Sequence, residues 1–137
     1  MHMERDFRVA RSRDDVVARL CRDETLLSLM PGASELVSSE GEVRTTSTRY
    51  ELLGREGTMT FHFTYLLDGN LRFEKVCDGH IWSQLRGCVT VEEDGDGATV
   101  CLEMDGRARA LVPERAIKGP LEEQIESMAK ALQEHLS

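Results

Sequence analysis

Near the N-terminus the spacing of apolar residues changes twice within a short stretch. Phe7-Arg8-Val9-Ala10 alternates apolar and polar positions, the period of a half-buried strand. Ser12-Arg13-Asp14-Asp15 then reads as an N-cap with an acidic residue three positions on, a capping box with Asp in place of Glu. The helix it opens carries Val16, Val17, Leu20 and Cys21 on one face. Asp23 caps a second short helix bearing Leu26, Leu27 and Met30, and Pro31-Gly32 ends it. From residue 33 to about 109 the pattern is strands broken by turn signals at Glu40-Gly41, 54–57, Asp68-Gly69-Asn70 and Asp94-Gly95-Asp96-Gly97. These signals predict six strands, seven with the N-terminal one, and short turns require antiparallel pairing.

The last apolar period is helical: Leu121, Ile125, Met128, Ala129, Leu132 and Leu136 recur at steps of three and four. Pro120 suits the first turn of that helix, and Glu122 and Glu123 suit the positive end of its dipole. Residues 111–118 stay unassigned, with Pro113-Glu114-Arg115 able to open a separate helical turn. The expected class is α+β: a curved seven-stranded antiparallel sheet around a long C-terminal helix, with two short helices between strands 1 and 2. No repeat or linker divides residues 1–137, which read as one domain.

Side-chain parity sorts residues by face. In Thr58-Met59-Thr60-Phe61-His62-Phe63-Thr64-Tyr65, the residues Met59, Phe61, Phe63 and Tyr65 share one face, which must be the inner one. With the turn at 54–57, Leu52 falls opposite Met59 and Tyr50 opposite Phe61, and Thr48 and Thr46 lie deeper inside. Two hydroxyls on an apolar wall can orient a ligand's polar group; they also read as plain strand formers at a wetted rim. Around Gly95, pairing Val89 with Val100 and Val91 with Ala98 places Val89, Val91, Val100 and Leu102 inside. Cys88 beside Cys101 and Thr90 beside Thr99 then face out. Without a bulge, Ile81, Ser83, Leu85 and Gly87 continue the inner face while His80 and Trp82 point outward. An outward Trp82 near two cysteines makes an apolar patch of the kind that marks a homodimer contact. A bulge at Gly79 or Gly87 would turn Trp82 inward instead, and the pattern does not choose.

Composition narrows the partners. The net charge is −8 with acidic residues scattered along the chain, whereas phosphate backbones and anionic membranes need clustered Lys and Arg. Nucleic acid and a membrane surface are therefore not expected as partners. No stretch approaches the length of a membrane span, and Met1-His2-Met3-Glu4-Arg5-Asp6 has no apolar segment of a secretory signal. His2-Met3 also reads as a cloning remnant. Cys21, Cys77, Cys88 and Cys101 lack the spacing of a secreted disulfide scaffold, so a reducing cytoplasm is the expected location.

Candidate chemistry is sparse. Cys77-Asp78-Gly79-His80 has a C-x-x-H spacing without a second ligand pair, so no metal is expected. There is no G-x-S-x-G elbow and no phosphate-cradling glycine motif, and no cofactor is implied. The acidic turn 92–97 lacks the terminal Glu of a calcium loop. Acid–base catalysis needs only one or two perturbed groups in a dry pocket, drawn here from Tyr50, Tyr65, Arg49, Glu51, Glu74 and Asp78. An inward tyrosine hydroxyl can hold a ligand without doing chemistry, so binding is preferred to catalysis and no catalytic residue is assigned.

The order of elements resembles the START-like superfamily, also called SRPBCC or Bet v 1-like. The residues that carry the likeness are Phe7-Arg8-Val9-Ala10 as first strand, the helix from Ser12, Leu29-Met30-Pro31-Gly32 after the second helix, the hairpins through Met104, and a closing helix over 119–136. The helix, short helix, Leu-Met-Pro-Gly, strand passage is most similar to the polyketide cyclase/dehydrase-like and carbon-monoxide-dehydrogenase-subunit-G-like branches. The resemblance implies a helix-grip fold and binding of a lipid, polyketide or aromatic molecule between sheet and C-terminal helix. It also implies two alternatives: a cyclase or dehydratase acting in the same cavity, or an interaction module with a filled core. The expected cavity lining is Tyr50, Leu52, Met59, Phe61, Phe63, Tyr65, Leu85, Val89, Val100, Leu102, Met104, Ile125 and Met128, with Leu29 and Met30 near one mouth. Tyr65, Tyr50 or Thr48 would orient the ligand.

Overall fold

The computed structural model describes residues 1–137 apart from Leu53 and His80, and describes Leu52 through its backbone only. The elements run β1 (His2–Val9), α1 (Arg13–Leu20), α2 (Asp23–Ser28), β2 (Ala33–Glu40), β3 (Val43–Leu52), β4 (Arg55–Tyr65), β5 (Leu71–Lys75), β6 (Trp82–Asp94), β7 (Gly97–Ala108) and α3 (Arg115–Leu136). From β2 to β7 each strand pairs with its neighbour in the chain, and β1 returns to pair with β7, giving the order β1-β7-β6-β5-β4-β3-β2. This is the expected α+β arrangement: a seven-stranded antiparallel sheet, two short helices between strands 1 and 2, and one C-terminal helix. The 22 residues of α3 span about 33 Å, enough to cross the inner face of the sheet.

Element ends differ from expectation where charge hides the period. β1 begins at His2, with Met3, Arg5 and Phe7 half-buried and the residues between them exposed. The inward Arg5 breaks the apolar signal; its Nε donates to Glu126 Oε1 of α3 at 2.6 Å. The Ser12 cap forms as expected, Oγ accepting from the Asp15 N–H at 3.2 Å, but Cys21 is exposed at the end of α1. The cap of α2 is Arg22, and Asp23 is its first helical residue. α3 starts at Arg115, so Pro120 lies inside the helix and Glu122 and Glu123 lie past its first turn. A proline there forfeits one N–H bond, a loss softened by its exposed position close to the helix start.

Faces follow the expected parity, but registers are shifted. Leu52 pairs with Arg55, so Met59 lies opposite Thr48 and Phe61 opposite Thr46, four residues back along β3 from the expected partners. Asp94 pairs with Gly97, so Val89 lies opposite Leu102 and Val91 opposite Val100, a shift of two. One cause explains both. Gly57 and Gly97 are not turn residues but strand residues at close contacts. A Cβ on Gly57 would sit 2.6 Å from the Tyr50 ring, and one on Gly97 would sit 2.5 Å from the Val9 carbonyl oxygen. Because the shifts are even, neither moves a side chain to the other face. Cys88 is opposite Glu103 and Cys101 opposite Thr90, so the two cysteines are diagonal neighbours and not a directly opposed pair.

Trp82 points inward. The ladder shifts between Trp82 and Gln84, so the bulge falls at Ser83, whose hydroxyl donates to the Arg107 and Ala108 carbonyls at 3.3 and 3.2 Å. It falls at neither Gly79 nor Gly87. Trp82 packs against the core beside Leu121, its ring lying over Gly106. The outer apolar patch that suggested a homodimer therefore does not form around Trp82, and Ser83 and Ile81 do not join the inner wall: both are exposed. The expected facing of His80 lies outside the described residues. A second bulge, between Leu36 and Ser38, interrupts the edge strand β2 and leaves Val37 exposed.

Candidate functional site

The inner face of the sheet is built by parity on β3 to β7 and closed by α1, α2 and α3. β4 contributes a wall that deepens along its length: Met59 is half-buried, and Phe61 and Phe63 are fully buried. Leu85 and Val89 on β6, Val100, Leu102 and Met104 on β7, and Ile125 and Met128 on α3 are buried with them in one cluster. β5 adds Leu71 and Phe73, which the sequence reading did not single out although Leu71-Arg72-Phe73-Glu74 alternates as an inner strand should. The three phenylalanine rings pack together at centroid separations of 6.0 to 6.4 Å. None of Phe61, Phe63, Val100, Leu102, Met104, Ile125 or Met128 keeps surface that water could touch, so no water-sized void borders them. Around these seven residues the space between sheet and helix is occupied by side chains.

Two polar residues stand in this wall. Thr46 and Thr48 on β3 are buried to the same degree as the phenylalanines, not wetted at a rim. Thr48 Oγ1 is paired with Ser34 Oγ of β2 at 2.6 Å. Thr46 Oγ1 has no hydrogen-bond partner among the described residues.

Other expected residues lie elsewhere. Tyr50 sits near the end of β3, 39% exposed, its ring over Gly57. The side chain of Leu52 is outside the described residues. Tyr65 is at the far end of β4, half-buried, where its hydroxyl donates to the Leu20 carbonyl at 3.3 Å and the Arg44 guanidinium lies 5.8 Å from its ring centroid. Burial holds the Tyr65 hydroxyl far above the usual phenol range, so it stays a neutral donor. That bond makes Tyr65 a tie between sheet and α1, and it leaves the expected orienting role to other groups.

A cleft of about 410 Å³ lies between the end of α2 and the β3–β4 hairpin, lined by Pro31, Gly32, Arg49, Tyr50, Glu51 and Met59. The Leu29-Met30-Pro31-Gly32 passage shapes it. Leu29 and Met30 are buried, Gln124 of α3 donates to Met30 Sδ at 3.2 Å, and Gly32 turns the chain at φ +119°. A side chain on Gly32 would strike the Arg49 carbonyl oxygen at 2.3 Å, so only glycine lets β2 start this close to β3. Met59 belongs to both places, lining the cleft and preceding Phe61 on the inner wall.

Acid–base and metal-binding groups cluster away from this wall. Among the described residues, the buried polar ones are Thr25, Thr46 and Thr48, with no carboxylate or histidine. Glu74 and Asp78 are exposed, as are Arg49 and Glu51. Among the described residues, one group of donor atoms lies close enough to share an ion: His2, Glu4 and Glu103, within 4.8 Å of one another on the outer face. Burial pushes the Cys88 and Cys101 thiols up, which keeps both protonated and poor nucleophiles. No described helix is long and apolar enough to cross a membrane.

No protein-family profile matches the chain, and no curated protein matches it in sequence. Solved structures do match along nearly its whole length. A Streptomyces aromatase/cyclase superposes with a TM-score of 0.78 at 16% identity, over 98% of this chain and 93% of its own. A START superfamily protein from Mycobacterium smegmatis gives 0.74 at 16% identity, over 98% and 96%. A STAR-related lipid transfer protein from Xanthomonas axonopodis gives 0.67 at 24% identity, over 98% and 85%. The resemblance read from element order thus holds in three dimensions: the chain has the helix-grip fold of the START-like superfamily.

Proposed function

We propose that this protein, as one START-like domain, binds an apolar small molecule between its sheet and α3, taking it up through the Pro31–Met59 cleft. The observation that carries this reading is the continuity of the β4 wall. Met59 lines an apolar cleft that opens to solvent, and the next inward residues on the same strand, Phe61 and Phe63, are ringed by hydrocarbon. A ligand would displace the Phe61, Phe63 and Phe73 rings and be driven by removal of apolar surface from water, about 25 cal/mol per Å². The names of the structural neighbours, a lipid transfer protein and an aromatase/cyclase, support a lipid, polyketide or aromatic ligand. Four free thiols suit a reducing cytoplasm. Binding is favoured over cyclase or dehydratase chemistry because, among the described residues, the buried wall offers hydroxyls but no carboxylate or imidazole.

The test is native mass spectrometry of protein purified from its own host, followed by extraction of whatever is bound. A reproducible apolar adduct supports the reading and names the ligand class. No adduct, together with no shift in melting temperature across a panel of lipids and aromatics, overturns it in favour of an interaction protein with a permanently filled core.

A further inference from the structure

We infer that the ligand is a neutral, largely hydrocarbon molecule with a single hydroxyl or carbonyl, and that Thr46 is the residue that selects it. The inference rests on the binding site proposed above and assigns that site its specificity.

Its starting point is the contrast between neighbouring hydroxyls on β3. Thr48 is satisfied by Ser34 at 2.6 Å, whereas Thr46 Oγ1 is unpartnered among the described residues although the residue is only 1% exposed. A buried hydroxyl without a partner is costly, and valine has nearly the same shape without that cost. Thr46 lies opposite Phe61, one inward position beyond the Thr48–Met59 pair that borders the cleft. A molecule entering beside Met59 and displacing the Phe61 ring would bring its leading atoms against Thr46 Oγ1. A hydroxyl or carbonyl there supplies the missing partner, since the threonine can donate or accept.

The surroundings set the charge and the number of polar groups. Among the described residues, those buried in the wall include no Lys, Arg or His that would neutralise an anion. A carboxylate at this depth would pay its desolvation with one hydroxyl as its only partner. Thr48 is already paired with Ser34, which leaves Thr46 Oγ1 as the unpartnered threonine hydroxyl of the wall among the described residues. One neutral polar atom fits; an acid does not.

The experiment compares naphthalene, naphthol and naphthoate binding to the wild-type chain, Thr46→Val and Thr46→Ser, by fluorescence titration and thermal shift. Naphthalene measures the proposed pocket itself, and the ratio of naphthol to naphthalene measures Thr46. We expect wild type to prefer naphthol about five- to tenfold, the worth of one buried hydrogen bond, and to bind naphthoate weakest. Thr46→Val should bring the ratio to about one, and Thr46→Ser should retain the preference. Unliganded Thr46→Val should melt higher than wild type, because it removes an unpaired polar atom. Naphthalene binding with an unaltered ratio in Thr46→Val would overturn the inference and leave the pocket standing. A lower melting temperature for Thr46→Val would show the hydroxyl already paired, and would overturn it too. Binding of none of the three probes would reject the pocket and the inference together.

Discussion

Removing the Phe61 ring tests whether the interior is a packed core or an open vessel. Phe61 is fully buried, opposes Thr46 on β3, and contacts the Phe63 and Phe73 rings at 6.0 and 6.4 Å. Truncation to alanine deletes a ring that no water touches and leaves a void walled by β-strands, which cannot collapse inward without breaking their ladders. Large-to-small changes of this kind cost about 3–5 kcal/mol, combining lost transfer energy with the cavity left behind. For a chain of 137 residues, average unfolding entropies translate 1 kcal/mol into about 3–4 °C. Phe61→Ala is therefore expected to lower the melting temperature by about 10–18 °C and to shift the urea midpoint without changing the slope. Phe61→Leu, which keeps most of the volume, should recover more than half of that loss. The void should also admit a small aromatic, so naphthalene should raise the melting temperature of Phe61→Ala more than that of wild type. A loss below about 1 kcal/mol for Phe61→Ala would refute the packed-core argument, because only substitutions away from packed contacts are that mild, usually within about 0.5 kcal/mol.

Other perturbations probe the remaining contacts. Gly87→Ala would place a Cβ 2.2 Å from the Glu103 carbonyl oxygen and 2.5 Å from the Phe73 ring, in mid-sheet where the backbone cannot retreat. Its cost is expected at about 3 kcal/mol in urea unfolding, and it should loosen the phenylalanine cluster in near-ultraviolet circular dichroism. Ser34→Ala orphans the Thr48 hydroxyl and should cost about 1–3 kcal/mol, a loss that adding Thr48→Val should partly reverse. Tyr65 sets an alkaline limit, its folded-state pKa lying above the unfolded value of about 10. Above that pH the unfolded chain releases a proton that the folded chain retains, so stability should fall as pH rises past it. Tyr65→Phe should flatten that fall in thermal melts taken across the alkaline range, and an unchanged slope would discard the linkage.

Much of this architecture was legible because strand parity is robust to error. Assigning Met59, Phe61 and Phe63 inward needed only their alternation, and it survived a register shift of four residues in one hairpin and two in another. The shifts themselves were not legible. A glycine that opens a turn and one that yields to a neighbouring ring look alike in sequence, and Gly57 and Gly97 are the second kind. Trp82 turned inward through a bulge at Ser83, a residue with no backbone signature of its own. Pro120 fits a first turn so well that it hides the continuity of α3: the turn signalled by Pro113-Glu114-Arg115 is not separate but runs unbroken into the last apolar period. The buried wall on β4, β6 and β7 was thus foreseeable, whereas Leu71 and Phe73 of β5 and the inward Trp82 were not, and Tyr50, Ile81 and Ser83 lie exposed. The filling of the wall was not foreseeable either, because how three rings share a volume depends on the third dimension.

The bulge in β2 bears on how copies of this protein meet one another. β2 is an outer strand of the sheet, and its unpaired edge offers backbone donors and acceptors to any passing strand. The irregularity between Leu36 and Ser38 divides that edge into two short runs that are out of phase. A strand docking on one run meets the other at the wrong spacing, so ladder growth stops after a few residues. The molecule carries a built-in stop against fibril-like stacking at this border.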